Sequence, residues 1–133
     1  MPTGWAFFGP QATLFQFNTQ IITHFLSSNP DENDLPRATW QHSQDTSKVW
    51  GNAVASSSDP KFVKHAIPWL LLQAVGADRG PGGGTRLTET AYIQRIRTSG
   101  GVAPATGCDQ ASNVGARALV PYKADYLFYK PTR

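Results

Sequence analysis

The side chains best suited to chemistry gather in one stretch of this chain. Residues 38–47, ATWQHSQDTS, hold Trp40, His42, Ser43, Asp45 and Ser47, with Trp50 just beyond. His42 and Asp45 lie three apart. In a turn, a carboxylate at that spacing can hold an imidazole in one tautomer, as acid–base and nucleophilic sites require. Ser43 or Ser47 would then be the nucleophile. No nucleophile-elbow pattern accompanies them. Asp45 and Ser47 equally suit the plainer task of satisfying backbone amides in a tight turn. The catalytic candidates are therefore His42 and Asp45, in a small hydrolase or isomerase.

Three histidines, His24, His42 and His65, are of the right type for zinc or copper. No pair has the i, i+4 spacing of a helical site, and His24 would have to meet His42 across strands. Half-buried ordinary histidines are the simpler expectation, and no metal site is assigned. Arg95 sits in the strand-like run YIQRIRT (92–98). If it points inward it needs a carboxylate, for example Asp125, or an anionic ligand. Four Trp, seven Phe and four Tyr serve mainly as core, yet in a barrel they can line a pocket for a flat or apolar ligand. The run GPGGG (80–84) lacks the spacing and the following helix of a phosphate loop, and reads as a flexible hairpin loop. Asp31, Glu32 and Asp34 read as part of a polar loop. The ligand-contact candidates are His24, Trp40, His42, Asp45, Trp50 and Arg95.

Short runs rich in Thr, Val, Ile and aromatic residues, bounded by turn residues, must position these groups. They predict strands over 11–15, 20–26, 37–42, 48–55, 67–75, 87–98 and 122–129. The most apolar, 67–75, reads as a buried strand because Pro68 opposes a helix. Alternation puts Leu87, Glu89, Ala91, Ile93, Arg95 and Arg97 on one face of 87–98. It puts Tyr122, Ala124, Tyr126 and Phe128 on one face of 122–129. No amphipathic helix and no internal repeat is visible. The expected fold is mainly β: one domain over 1–133, an antiparallel β-barrel or two-sheet sandwich with long Gly/Pro-rich loops.

Composition agrees. With 133 residues, 12 Gly and 10 Pro, the chain has room for one core and many turns. Charged residues are 16%, against about 25% in an average domain. The 12 basic and 9 acidic residues are scattered, so no nucleic-acid partner is implied. No stretch approaches the roughly 18–20 apolar residues of a membrane span. The single cysteine, Cys108, makes neither an intramolecular disulfide nor a zinc site alone. No export-signal pattern opens the chain. A multidomain enzyme, a coiled coil and a disulfide-dense miniprotein are excluded, and no cofactor is implied.

The segments WAFFGPQATLF (5–15), ATWQHSQDTSKVWG (38–51), IPWLLLQAVG (67–76), YIQRIRTSGGVAPATGC (92–108) and VPYKADYLFY (120–129) resemble the domain-of-unknown-function family DUF3455. The resemblance runs in order over nearly the whole chain. It implies a small exported β-rich domain, secreted or periplasmic, with no established activity. The dehydrogenase label on some fungal members finds no support here, because the dinucleotide fingerprint is absent. Similar members carry a further N-terminal stretch with an export signal, a first strand and a cysteine. The resemblance thus implies a truncated or start-shifted form, with Cys108 lacking its partner and a strand edge open to self-association. The leading expectation is a small-ligand-binding or cell-surface domain.

Overall fold

The computed structural model describes residues 4–106 and 117–132. Seven strands run in chain order: β1 (Ala12–Gln16), β2 (Thr19–Asn29), β3 (Leu35–His42), β4 (Lys48–Ser57), β5 (Trp69–Asp78), β6 (Tyr92–Gly100) and β7 (Tyr122–Tyr129). A 3-10 turn, Pro30–Glu32, joins β2 to β3. Each strand pairs antiparallel with the next, giving one sheet of order β1-β2-β3-β4-β5-β6-β7. The β1–β2 hairpin turns on Phe17 and Asn18, both with positive φ, as a tight two-residue hairpin connection requires.

The sheet is curled, and side-chain distances show how strongly. Neighbouring strands lie about 4.8 Å apart, so β3 and β7 would be roughly 19 Å apart in a flat sheet. Trp40 on β3 nevertheless reaches Phe128 and Tyr126 on β7, with ring centroids 6.3 and 6.2 Å apart. His24 on β2 reaches Tyr126 at 5.4 Å. The sheet therefore wraps into a half-barrel around its own concave face. That face holds the core of Ile22, Trp40, Val49, Leu72, Leu87 and Ile93, with Tyr126, Phe128 and Leu70 packed against it. The expected antiparallel all-β fold is present, as one curled sheet.

The half-barrel has two unlike ends. One end is plugged. Residues 85–90, expected to begin the sixth strand, instead form turns, with Thr88 N–H on Thr85 O (3.3 Å) and Thr90 N–H on Leu87 O (3.2 Å). The backbone is drawn out of the ladder because side chains on the β3–β4 turn take its amides. Arg86 N–H donates to Asp45 Oδ2 (2.9 Å), and Leu87 N–H donates to Ser47 Oγ (3.1 Å). Leu87 is thereby pushed into the core. The glycines of 80–84 lie tightly on the same turn: Gly82 N–H donates to Thr46 Oγ1 (2.7 Å), and a Cβ on Gly84 would collide with the Asp45 side chain. They serve close packing, where the sequence had pointed to a flexible loop.

Two boundaries also differ from expectation. β2 continues through Ser27–Asn29, because these polar residues pair with Leu35–Arg37 and find buried partners. Pro36 is tolerated in β3 because β4 pairs only with Ala38–Gln41. On the convex face, Trp50 Nε1 donates to Ser27 Oγ (3.0 Å), which bonds Thr39 Oγ1 (2.6 Å). Nearby, Asn29 Nδ2 donates to Glu32 Oε1 (2.8 Å) and to Val75 O (3.2 Å). Arg37 forks onto both oxygens of Glu32 at 3.0 and 3.1 Å. The acidic loop is thus absorbed into the scaffold.

Candidate functional site

The predicted cluster of His24, Trp40, His42, Asp45, Trp50 and Arg95 is divided by the fold. Register decides the division. His24 pairs with Trp40 and Ile22 with His42, so these four share the concave face. Trp40 pairs with Val49, which leaves Trp50 opposite Thr39 on the convex face. Trp50 is buried there with its indole N–H donated to Ser27, away from His24 and Trp40.

At the plugged end, His42 and Asp45 are neighbours without being a dyad. Their closest approach is 4.0 Å, Nδ1 to Oδ1. Gln44 N–H donates to His42 Nδ1 at 3.2 Å. That nitrogen is therefore the unprotonated acceptor, and the contact is not an ion pair. Burial lowers the His42 pKa, against the attraction of Asp45, and Arg86 lowers it further. Asp45 Oδ1 accepts from Ser47 N–H (3.0 Å) and Ser47 Oγ–H (2.7 Å), while Oδ2 accepts from Arg86 N–H. Burial opposes ionisation of Asp45, but these bonds outweigh it and hold the pKa at about 2. Asp45 and Ser47 are committed to the turn and the plug. His65 lies apart, outside the strands, with φ of 49°.

The concave face holds the other members. The His24 ring stacks on Trp40, centroids 4.2 Å apart and planes 15° apart. His24 Nδ1 donates to Thr39 O at 2.8 Å, since a carbonyl can only accept. Burial drives the His24 pKa down to about 4; the Thr39 bond opposes this and Arg95 assists it. At neutral pH the ring is uncharged, and Nε2 carries the lone pair. Trp40 is 1% exposed, and its indole N–H has no acceptor among the described residues.

Arg95 pairs with Leu70 on one side and Tyr126 on the other, facing the same interior. It does not pair with Asp125. Its Nε and Nη2 both donate to Pro68 O, at 3.0 and 2.9 Å. The reason is a break in alternation. Arg97 has φ of 50° in the irregularity between Ile96 and Ser99, and it takes Asp125 in an exposed ion pair of 2.9 Å. Of the face expected on 87–98, Ile93 and Arg95 face the interior from β6, Leu87 enters the core from the turns before it, and Arg97 points outward.

Sequence reasoning did not include Tyr122, Tyr126 and Phe128 in the site. Their alternation was legible, but nothing local says that β7 curls over β3. The Tyr122 and Tyr126 hydroxyls are 2.9 Å apart. Burial raises the Tyr126 pKa, and the Tyr122 hydroxyl raises it further. Outside the strands, Trp5 Nε1 donates to Thr106 O (3.0 Å), Gly9 lies against Leu26, and Arg117 sits 4.7 Å over the Phe8 ring. Cys108 lies outside the described residues. A surface depression of about 550 Å³, lined by Glu89, Lys130, Pro131 and Thr132, lies at the plugged end and is separate from the His24–Arg95 cluster. Among the described residues, no group of three His, Cys, Asp or Glu could hold a metal ion, and no helix is long and apolar enough to cross a membrane.

One curled antiparallel sheet, with His24, Trp40, Arg95 and Tyr126 on its concave face, is the architecture of a small all-β domain. The chain belongs to the family described as protein of unknown function (DUF3455), whose model matches residues 1–130. No curated protein and no solved structure matches it.

Proposed function

We propose that this chain is a binding domain that takes a small ligand at the open end of the half-barrel and works outside the cytoplasm. One observation carries the binding reading: Arg95 is half-buried on the concave face and pairs with no carboxylate among the described residues. A half-buried guanidinium with no acid beside it favours a bound anion. The extracellular placement is supported by the export signals of similar family members. Native mass spectrometry of the protein purified from its own source tests the binding. Extra mass on the wild type, reduced in Arg95→Met, is the expected result. A bare chain of 14.5 kDa overturns the reading.

A second reading, self-association through β1, is favoured by a different observation. No Asp, Glu, Lys or Arg precedes Asp31. β1 is an edge strand, and Phe15 on it and Phe17 beside it are exposed. Edge strands are usually guarded by charge or proline. β7, at the other edge, carries Lys123 and Asp125 and is flanked by Pro121 and Pro131. β1, flanked by Pro10, carries no charge, so a symmetric β1-to-β1 pairing of two copies is the expected form.

A further inference from the structure

We infer that the ligand of the open end is a small organic carboxylate, its anionic group held by Arg95 and its apolar body lying against Leu26, Ala38 and Leu70. This rests on the ligand-binding reading above and adds the chemical class.

The interior carries a cation without a counter-charge. Arg95 is half-buried on the concave face, and no carboxylate pairs with it among the described residues. The nearest expected partner, Asp125, is taken by Arg97 on the outside. Asp45 is spent on the plug at the far end. A guanidinium with no acid beside it, in a partly dry site, favours an anion strongly.

Nε and Nη2 of Arg95 share the single Pro68 oxygen, which sets the plane of the fork, and the guanidinium also lies within hydrogen-bonding reach of the Tyr126 hydroxyl. Other nearby groups are also donors. Between the Tyr122 and Tyr126 hydroxyls, only one hydrogen is used, so one O–H remains to donate. A carboxylate accepts from Arg95 and from that O–H. A cation would be repelled by Arg95, and a neutral amide would leave the guanidinium charge uncompensated. His24 supplies no competing charge, because burial keeps it neutral at pH 7. The apolar part of the ligand follows from the surroundings. Leu26 and Ala38 pair across β2 and β3, and Leu70 stands beside Arg95.

Isothermal titration calorimetry with benzoate and hexanoate, against benzamide and hexanamide, tests the assignment on the full chain. The carboxylates are expected to bind about ten- to a hundredfold more tightly than their amides, the range for a hydrogen bond to a charged group. Arg95→Met should abolish that preference, and Arg95→Lys should keep part of it. Thermal unfolding of each variant establishes that it is folded. Should Arg95→Met fail to fold, Tyr122→Phe is expected to weaken carboxylate binding several-fold and leave amide binding unchanged. Equal binding of acids and amides, or a preference that survives Arg95→Met, overturns the carboxylate assignment and leaves the binding reading standing. Binding of neither class also overturns it, and the native mass spectrum then decides the binding reading by itself.

Discussion

His24 is the most informative single residue, because its neutrality is built into its surroundings. Its ring is packed on Trp40 and edged by Tyr126, and burial holds its pKa at about 4 against an ordinary 6.5. The unfolded chain thus binds a proton that the folded chain refuses. The stability due to the neutral ring is fully present above pH 6.5 and is lost as pH falls from 6.5 towards 4. Roughly 3 kcal/mol is at stake over that window. His24→Phe keeps an aromatic ring on Trp40 but cannot titrate. Urea unfolding at pH 7 and pH 4.5 should show the wild type losing far more stability than the variant. An equal loss in both would show that His24 is not buried as a neutral base. The residue scale also marks what spacing could not reveal. Trp40 and Trp50 both stand close to the polar run 41–48 in the sequence. Only the pairing of Trp40 with Val49 sends Trp50 to the other face.

At the scale of elements, the β3–β4 turn and the 85–90 segment act as one device. Asp45 accepts three hydrogen bonds across it, and Leu87 is its apolar end. Leu87→Ala should cost about 2–5 kcal/mol through the cavity it leaves in the core. Asp45→Asn should cost about 1–3 kcal/mol, because three donors lose a charged acceptor. Since both changes loosen one element, the double variant should cost less than the sum, as urea denaturation of the four-protein cycle would show. Strict additivity would mean that the two groups act independently. The Asp45 contribution has its own pH window. Its folded pKa is lowered to about 2, so the stability is present above about pH 4 and lost as pH falls from there towards 2. Sequence reading did anticipate Asp45 and Ser47 as turn ties. It missed their partner, because Arg86 and Leu87 lie about forty residues away and carry a strand-like pattern.

For the whole molecule, the decisive features are an open sheet edge and a half-closed cup. If β1 mates with a second copy, light scattering should show a mass that rises with concentration. Thr13→Lys, on an exposed position of β1, should return the protein to a monomer without lowering its thermal stability. A wild type that stays monomeric at every concentration ends that reading. The family match over residues 1–130 ties these features to one continuous unit of sequence.

The sequence by itself determined the strands, their alternation, the absence of long helices and the membership in DUF3455. These follow from local propensity and from patterns within a few residues, which need no knowledge of distant partners. It also singled out His24, Trp40, His42, Asp45, Trp50 and Arg95 as candidates. Tertiary structure alone decided which of them meet. Register shifts at Trp50/Gly51 and Ile96/Ser99 change which side chains face the interior, and the curl carries β7 onto β2 and β3. Both depend on contacts between residues far apart in the chain, where the energy of packing outweighs the local preference of any one strand.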